Sequence, residues 1–347
     1  MSRILTCLIA VLLTVSGPVR AEIVKDLYAS TVPVRDQGSE ALTVAAGLGL
    51  AQVLVKVSGS EDTLREPAVS DALRTARRDV QQYAFLPPVG EDPRQRVRME
   101  FDADRVTELV LAAGLPLWTA NRRPVLVWLV LEDEMGLSFA TNASSPELIA
   151  SLREAFAERG VPLRLPLFDL RDTAAITPDD VWRLDAGTLT EASARYGVEH
   201  IVGARLTGLS GGKWIGDWSH LDGRDRRDLR IEADSTHDYL RQGTAALAER
   251  LAARYAVVAS EGSATGVAVR VSGVDTYADL AMIVRWLEDL EVVQRATVTR
   301  IAADRLDLAV HARADAAELA TLITLNDRLV PRTQALPGAP LEYQWLR

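Results

Sequence analysis

The chain carries one cysteine, Cys7, among 347 residues, and that residue lies in an N-terminal leader. Arg3 supplies a positive start, Ile4 to Val15 an apolar stretch, and Val19-Arg20-Ala21 small residues before a cut. That pattern predicts a cleaved secretory signal peptide over residues 1–21. An apolar run of about a dozen residues is too short to span a bilayer comfortably, which disfavours a retained anchor. Cys7 lies within the apolar run and does not follow it, so it is badly placed for lipoprotein acylation and leaves with the leader. The mature chain then has no cysteine, which excludes a disulfide framework, a thiolate nucleophile and cysteine-ligated metals. Its fold must rest on buried apolar surface.

Basic charge is also scarce. Losing Arg3 and Arg20 takes the 39 basic residues to 37 against 48 acidic ones, and the net charge from -9 to -11. Binding of nucleic acid or an anionic membrane through bulk electrostatics is therefore not expected. Beyond the leader there is no long uncharged apolar run, no low-complexity tract and no repeat, which predicts a soluble periplasmic protein without a stable membrane span. Several reaction motifs are missing too. The histidines His200, His220, His237 and His311 lack H-x-x-x-H spacing, so no metal and no cofactor is expected. There is no G-x-S-x-G elbow, and His237-Asp238 beside Ser235 is no triad, because near-consecutive side chains point apart.

What is present reads as three modules. From 22 to 118 the order is β-α-α-β-β-α, an α+β module. "LYASTVPV" predicts a strand, and Ser39 to Gly59 a long helix with Ser39 as cap, Gly59 as terminator, and Leu42, Ala45, Leu48, Gln52 and Val55 at helical spacing. Gly47 and Gly49 would let another backbone approach closely. Further elements are a short helix over 67–77, strands at "VQQYAFLPP" and "RVRMEF" flanking a polar loop "VGEDPRQ", and a helix over 104–113. From 123 to 260 a continuously apolar strand, Pro124 to Leu131, is what burial on both faces demands. A helix capped by Ser145 with Pro146 at its first position, a strand over 161–168, helices over 177–197, a three-strand meander and a helix over 235–257 complete a three-layer α/β module. From 266 to 347 the order β-α-β-β-α-β is ferredoxin-like, with its second helix expected over 315–329.

The runs "LYASTVPVRDQGSEAL", "GLAQVLVKVSGSEDTL", "VQQYAF", "RRPVLVWLVLED" and "YGVEHIVGARL" resemble a family of exported proteobacterial proteins catalogued as domain of unknown function 2066. That resemblance implies export and supplies no activity. The middle region, with "AERGVPLRLP", "YGVEHIVGARL" and a Gly/Trp hairpin, is similar to the amino-terminal domain of TolB, which implies work through protein contacts without catalysis.

Three stretches merit weighing as sites. "GLSGGKWIGDW", Gly208 to Trp218, is one residue short of a P-loop and has Trp214 where the hydroxyl belongs. Ser210-Gly211-Gly212 suits a tight hairpin turn. Trp214, Gly216 and Trp218 then share one face, either packed on the core or, with Lys213, forming a patch for a glycan, a peptide or a partner protein. Glu132 to Glu134 follow a buried strand, where acids serve a cation site or acid/base chemistry, or simply solvate the strand end. Thr177-Pro178-Asp179-Asp180 predicts a helix start. The expected function is a non-enzymatic periplasmic accessory or scaffold of the cell envelope. The alternatives are a glycan- or peptide-binding protein using Trp214 and Trp218, and, more distantly, a hydrolase with a convergent site.

Overall fold

The computed structural model describes residues 21–88, 95–223, 225–258, 266–326, 328–332 and 339–346. The predicted leader, except Ala21, and most of the loop "VGEDPRQ" lie outside these residues. The fold is mixed α/β with several sheets.

The first module runs β1 (Glu22–Ile23), β2 (Ala29–Val34), α1 (Ser39–Ser58), α2 (Pro67–Thr75), β3 (Val80–Leu86), β4 (Gln95–Phe101), α3 (Ala103–Ala112), β5 (Pro116–Leu117) and β6 (Asn121–Arg122). An antiparallel sheet in the order β2-β4-β3 packs on α1. Helix α1 ends where expected: Gly59 takes a left-handed conformation (φ 81°) and donates its N–H to the Val55 carbonyl. Its start differs, because Gly38 is the N-cap and Ser39 is already helical. Of the positions at helical spacing, Leu42, Ala45 and Val55 are buried, but the inward face is centred elsewhere. Ala46, Leu50, Val53, Leu54 and Val57 point inward, while Leu48 and Gln52 face solvent. Gly49 sets that face, since a Cβ there would meet Ser30 Oγ at 2.5 Å and Phe101 Cζ at 3.2 Å. By length and composition α1 is apolar enough to cross a membrane, yet most of it is buried inside the protein.

Lys56, near the end of α1, is buried and donates to the Ala29 carbonyl at 2.6 Å. Burial lowers its ammonium from the ordinary 10.5 to about 8, while the Asp26 carboxylate pulls it back up. Between those values the unfolded chain holds a proton that the folded protein has lost, so this group makes stability rise with pH from about 8 towards 10. Replacing Lys56 with Met is expected to flatten that rise by about 2 kcal/mol in urea melts. Parallel pH profiles for the two proteins would show that Lys56 titrates normally.

The middle module runs β7 (Val125–Asp133), β8 (Gly136–Phe139), α4 (Pro146–Glu158), β9 (Leu163–Arg164), α5 (Leu170–Ala175), α6 (Pro178–Trp182), α7 (Ala186–Ser193), β10 (His200–Gly208), β11 (Trp214–Asp222), β12 (Asp225–Ala233), α8 (Thr236–Tyr255) and β13 (Val257–Val258). The sheet order is β12-β11-β10-β7-β8, with β9 beside β7. Strand β7 is buried on both faces, as its composition demands: Val125, Val127 and Leu129 join the core under α4 and α8, and Leu126, Trp128 and Val130 meet Val181 and Leu189 from α6 and α7. The strand expected over 161–168 shrinks to Leu163–Arg164, because Pro162 and Pro166 deny it ladder donors. Strand β8 and helix α5 are additions to the expected set. Ser145 occupies the N-cap of α4 but makes no capping hydrogen bond, whereas Thr177 and Asp180 form the reciprocal capping box expected at α6.

The last module runs β14 (Val267–Ser272), α9 (Tyr277–Glu288), β15 (Val293–Ala302), β16 (Arg305–Ala312), α10 (Ala316–Ile323), β17 (Leu329–Pro331) and β18 (Leu341–Trp345). Helix α10 stops early because Asn326 closes a turn, its side chain accepting from the Arg328 N–H and its carbonyl from the Leu329 N–H. The sheet order is β15-β16-β14-β18-β17. Here the structure corrects the expected ferredoxin-like pattern: β18 runs parallel to β14, because the additional strand β17 reverses the chain before it.

One apolar core is continuous through all three modules. Strand β13 pairs with β5 across the first two, and the Ala120 N–H donates to Glu291 of the third at 2.8 Å. Arg122 sits at the junction, 1 % exposed. Its guanidinium donates to five backbone carbonyls, those of Lys56, Trp118, Thr119, Arg159 and Gly160, at 2.8–3.2 Å.

Candidate functional site

The hairpin between β10 and β11 forms as the glycines predict. Gly211 and Gly212 take positive φ (108° and 83°), and the Leu209 N–H meets the Lys213 carbonyl at 2.7 Å. The register pairs Gly208 with Trp214 and, at the far end, His200 with Asp222. Even-numbered residues of both strands therefore share one face, and α8 covers it.

That covering decides the two tryptophans. Trp218 is 3 % exposed, stacked on Phe156 at 6.4 Å between centroids and tilted against Tyr239. Helix α8 comes close because residue 243 is glycine: a Cβ there would lie 2.3 Å from the Trp218 ring. The gap at Gly216 is filled by the Tyr239 ring, whose hydroxyl donates to the Arg205 carbonyl at 2.7 Å. Trp214 is half-buried and lies against Gly208. The paired-indole platform is thus corrected to a core contact, and of the proposed patch only Lys213, ion-paired with Glu232 at 2.9 Å, stands in solvent.

The acidic candidates Glu132 and Glu134 are also exposed. They flank the turn into β8, where Asp133 accepts from the Met135 N–H at 2.8 Å. Among the described residues neither belongs to a cluster able to hold a metal. The acids are there because a turn between two strands projects into water. His237 and His311 are half-buried, and among the described residues neither belongs to a cluster able to hold a metal.

His200 and His220 come together in space although their spacing along the chain shows no ligand pattern. His200 is fully buried and His220 nearly so. His220 Nε2 lies 3.3 Å from His200 Nδ1. His200 Nε2 is 2.9 Å from the Tyr255 hydroxyl, which donates to Glu199 at 3.4 Å. With Asp222, the two histidines offer ligand atoms within 4.8 Å of one another. Burial lowers both imidazoles, His200 to about 4 and His220 to about 3, with Arg254 adding to the first and His200 to the second. Both rings are consequently neutral at physiological pH. Burial, with help from Glu199, pushes the Tyr255 hydroxyl up to about 12.

Charged side chains ring this cluster. Arg254 bridges Asp222 at 3.0 Å and Glu199 at 3.1 Å. Arg250 reaches Asp222 and Asp225, and Arg123 reaches Glu199 at 3.0 Å. A cavity of about 230 Å³ lined by His220, Asp222, Arg250 and Arg254 opens on one side. On the other, Glu199, Arg254 and Tyr255 wall a cleft of about 750 Å³ whose opposite wall, with Arg332 and Glu342, belongs to the last module. Spacing along the chain hides this site, since the histidines are twenty positions apart. The signal that reveals it is the turn: counting outwards from Ser210-Gly211-Gly212 sets 200 opposite 222 and 202 opposite 220.

Comparison with known proteins bears on only part of the chain. No curated protein matches it. A solved structure described as an uncharacterized protein is 15% identical over 38% of this chain and 91% of its own, with a TM-score of 0.17. Residues 21–119, which hold α1 and the sheet packed on it, match the family model described as Domain of unknown function (DUF8605).

Proposed function

We propose that the protein is exported through its leader and acts in the cell envelope as a non-enzymatic accessory or scaffold that engages a partner protein along strand β12. The observation that carries this reading is the state of that strand. Strand β12 is the edge of the middle sheet, with β11 on one side and no strand on the other among the described residues. Residues 225–230 are exposed on both faces, and a groove of about 680 Å³ runs between the strand and α8. An edge of this length offers a row of backbone donors and acceptors to an added strand. Its mixed charges, Asp225, Arg226, Arg227, Asp228 and Arg230, discourage self-pairing and select a partner of complementary pattern. The resemblance of the middle region's sequence to the TolB amino-terminal domain points the same way as an analogy of fold. The periplasmic location in this reading rests on the leader pattern of residues 1–21.

A photo-crosslinking residue at Arg227, introduced in the native host, tests the reading. It is expected to trap one reproducible envelope protein that the same group at exposed Arg285 on α9 does not trap. Identical captures from both positions, or none from Arg227, would rule the edge out as the contact surface.

A further inference from the structure

We propose that His200, His220 and Asp222 form a three-ligand site for a divalent transition metal ion, zinc by ligand chemistry, with a fourth position open to the 230 Å³ cavity. The three ligands lie on β10 and β11, and the site meets the edge strand used for partner contact at Asp225, which Arg250 holds.

The geometry supports the assignment in the ligand spacing and in the outer shell of His200. Two ring nitrogens bound to one tetrahedral ion at bonds of about 2.0–2.1 Å stand roughly 3.3 Å apart, and the facing nitrogens of His200 and His220 are separated by 3.3 Å. A shared ion requires both facing nitrogens to be unprotonated. His200 then carries its proton on Nε2, where the Tyr255 hydroxyl accepts it, and His220 carries its own on Nδ1. That Nδ1 atom is buried and has no hydrogen-bond partner among the described residues. It is the atom left over once Nε2 serves the ion, and its ring borders the cavity. The chain His200–Tyr255–Glu199 is an outer shell that fixes tautomer and ring orientation, as metal-ligating histidines require. Every contact the described residues make to Asp222 goes to Oδ2, from Arg250 and Arg254, leaving Oδ1 to ligate. Three carboxylates (Glu199, Asp222, Asp225) and three guanidiniums (Arg123, Arg250, Arg254) balance around the cluster. A bound dication therefore makes the site positive, which favours an anion or hydroxide at the open position. Imidazole and one carboxylate suit zinc and its neighbours better than calcium or magnesium.

The test uses untagged, chelator-treated full-length protein titrated calorimetrically with zinc chloride, and then with cobalt chloride while visible absorption is recorded. Saturable binding of one zinc ion is expected, undisturbed by a hundredfold excess of magnesium, together with the intense visible bands of four-coordinate cobalt. His200→Gln with His220→Gln should abolish both. Because that pair is buried and the double variant can misfold, Tyr255→Phe is the second variant: it keeps the ring, removes the hydrogen bond to His200, and is expected to weaken zinc binding about 10-fold or more. Absence of saturable binding, several equivalent weak ions, a weak six-coordinate cobalt spectrum, or unchanged affinity in Tyr255→Phe would each overturn the site.

Discussion

Replacing Arg122 with Met is expected to lower the free energy of unfolding by about 3–5 kcal/mol, the range found when one partner of a buried charged network is removed. The guanidinium makes five hydrogen bonds to carbonyls of three segments: Lys56 in the last turn of α1, Trp118 and Thr119 in the connection, and Arg159 and Gly160 at the end of α4. Two helix C-termini, each carrying partial negative charge, thus converge on one cation. The ring of Trp118 lies 3.7 Å beneath it. Burial lowers the guanidinium to about 9, while Glu291 pulls it back up, so it stays charged at neutral pH. Met fills the space but leaves five buried carbonyls without donors, each a desolvation cost of about 1–3 kcal/mol before relaxation. Lysine should not rescue the loss, since an ammonium has three donors at a point where five acceptors lie around a plane. Urea melts followed by tryptophan fluorescence would read the change, and a midpoint within error of the parent's would refute the clamp.

The Trp218→Ala variant is expected to lose about 3–5 kcal/mol, the usual cost of emptying a large aromatic site in a core. The indole is enclosed by Phe156, Tyr239 and the backbone at Gly243, and a helix held by Tyr239 cannot collapse freely into the void. Trp214→Ala, two positions along the same face, should cost far less, about 1 kcal/mol, because the ring is only half-buried. The contrast separates a core role from a ligand platform. Comparable small stability losses in both variants, with lost binding of a glycan or peptide, would restore the platform.

These two results fall at different distances from the sequence. The hairpin is legible, because two consecutive glycines between apolar runs have one good use, and the termination of α1 at Gly59 is legible for the same reason. The face of α1 is not. Leu48 and Leu50 are equally apolar, and the choice between them belongs to whatever packs against Gly49. The paired indoles were readable as a shared face, but not whether that face met water, since Gly243 lies twenty-five residues beyond Trp218. Arg122 gives no local sign at all. An arginine in "TANRRPV" is an ordinary linker residue until segments from 56, 118 and 159 close around it. The direction of β18 was hidden too, because the order of elements sets neither neighbour nor polarity when a three-residue strand intervenes.

By itself the sequence determined the local features: the unbroken apolar run that buries β7 on both faces, the helix start at Thr177, and the glycine turns. Each depends on residues within a few positions of one another. Only the tertiary structure decided which side chains meet across the chain, namely Trp218 with Gly243, His200 with His220 and Asp222, and Arg122 with three helix and linker ends. Those meetings depend on strand register and on the approach of distant backbones, and neither is encoded in the spacing of the residues that finally touch.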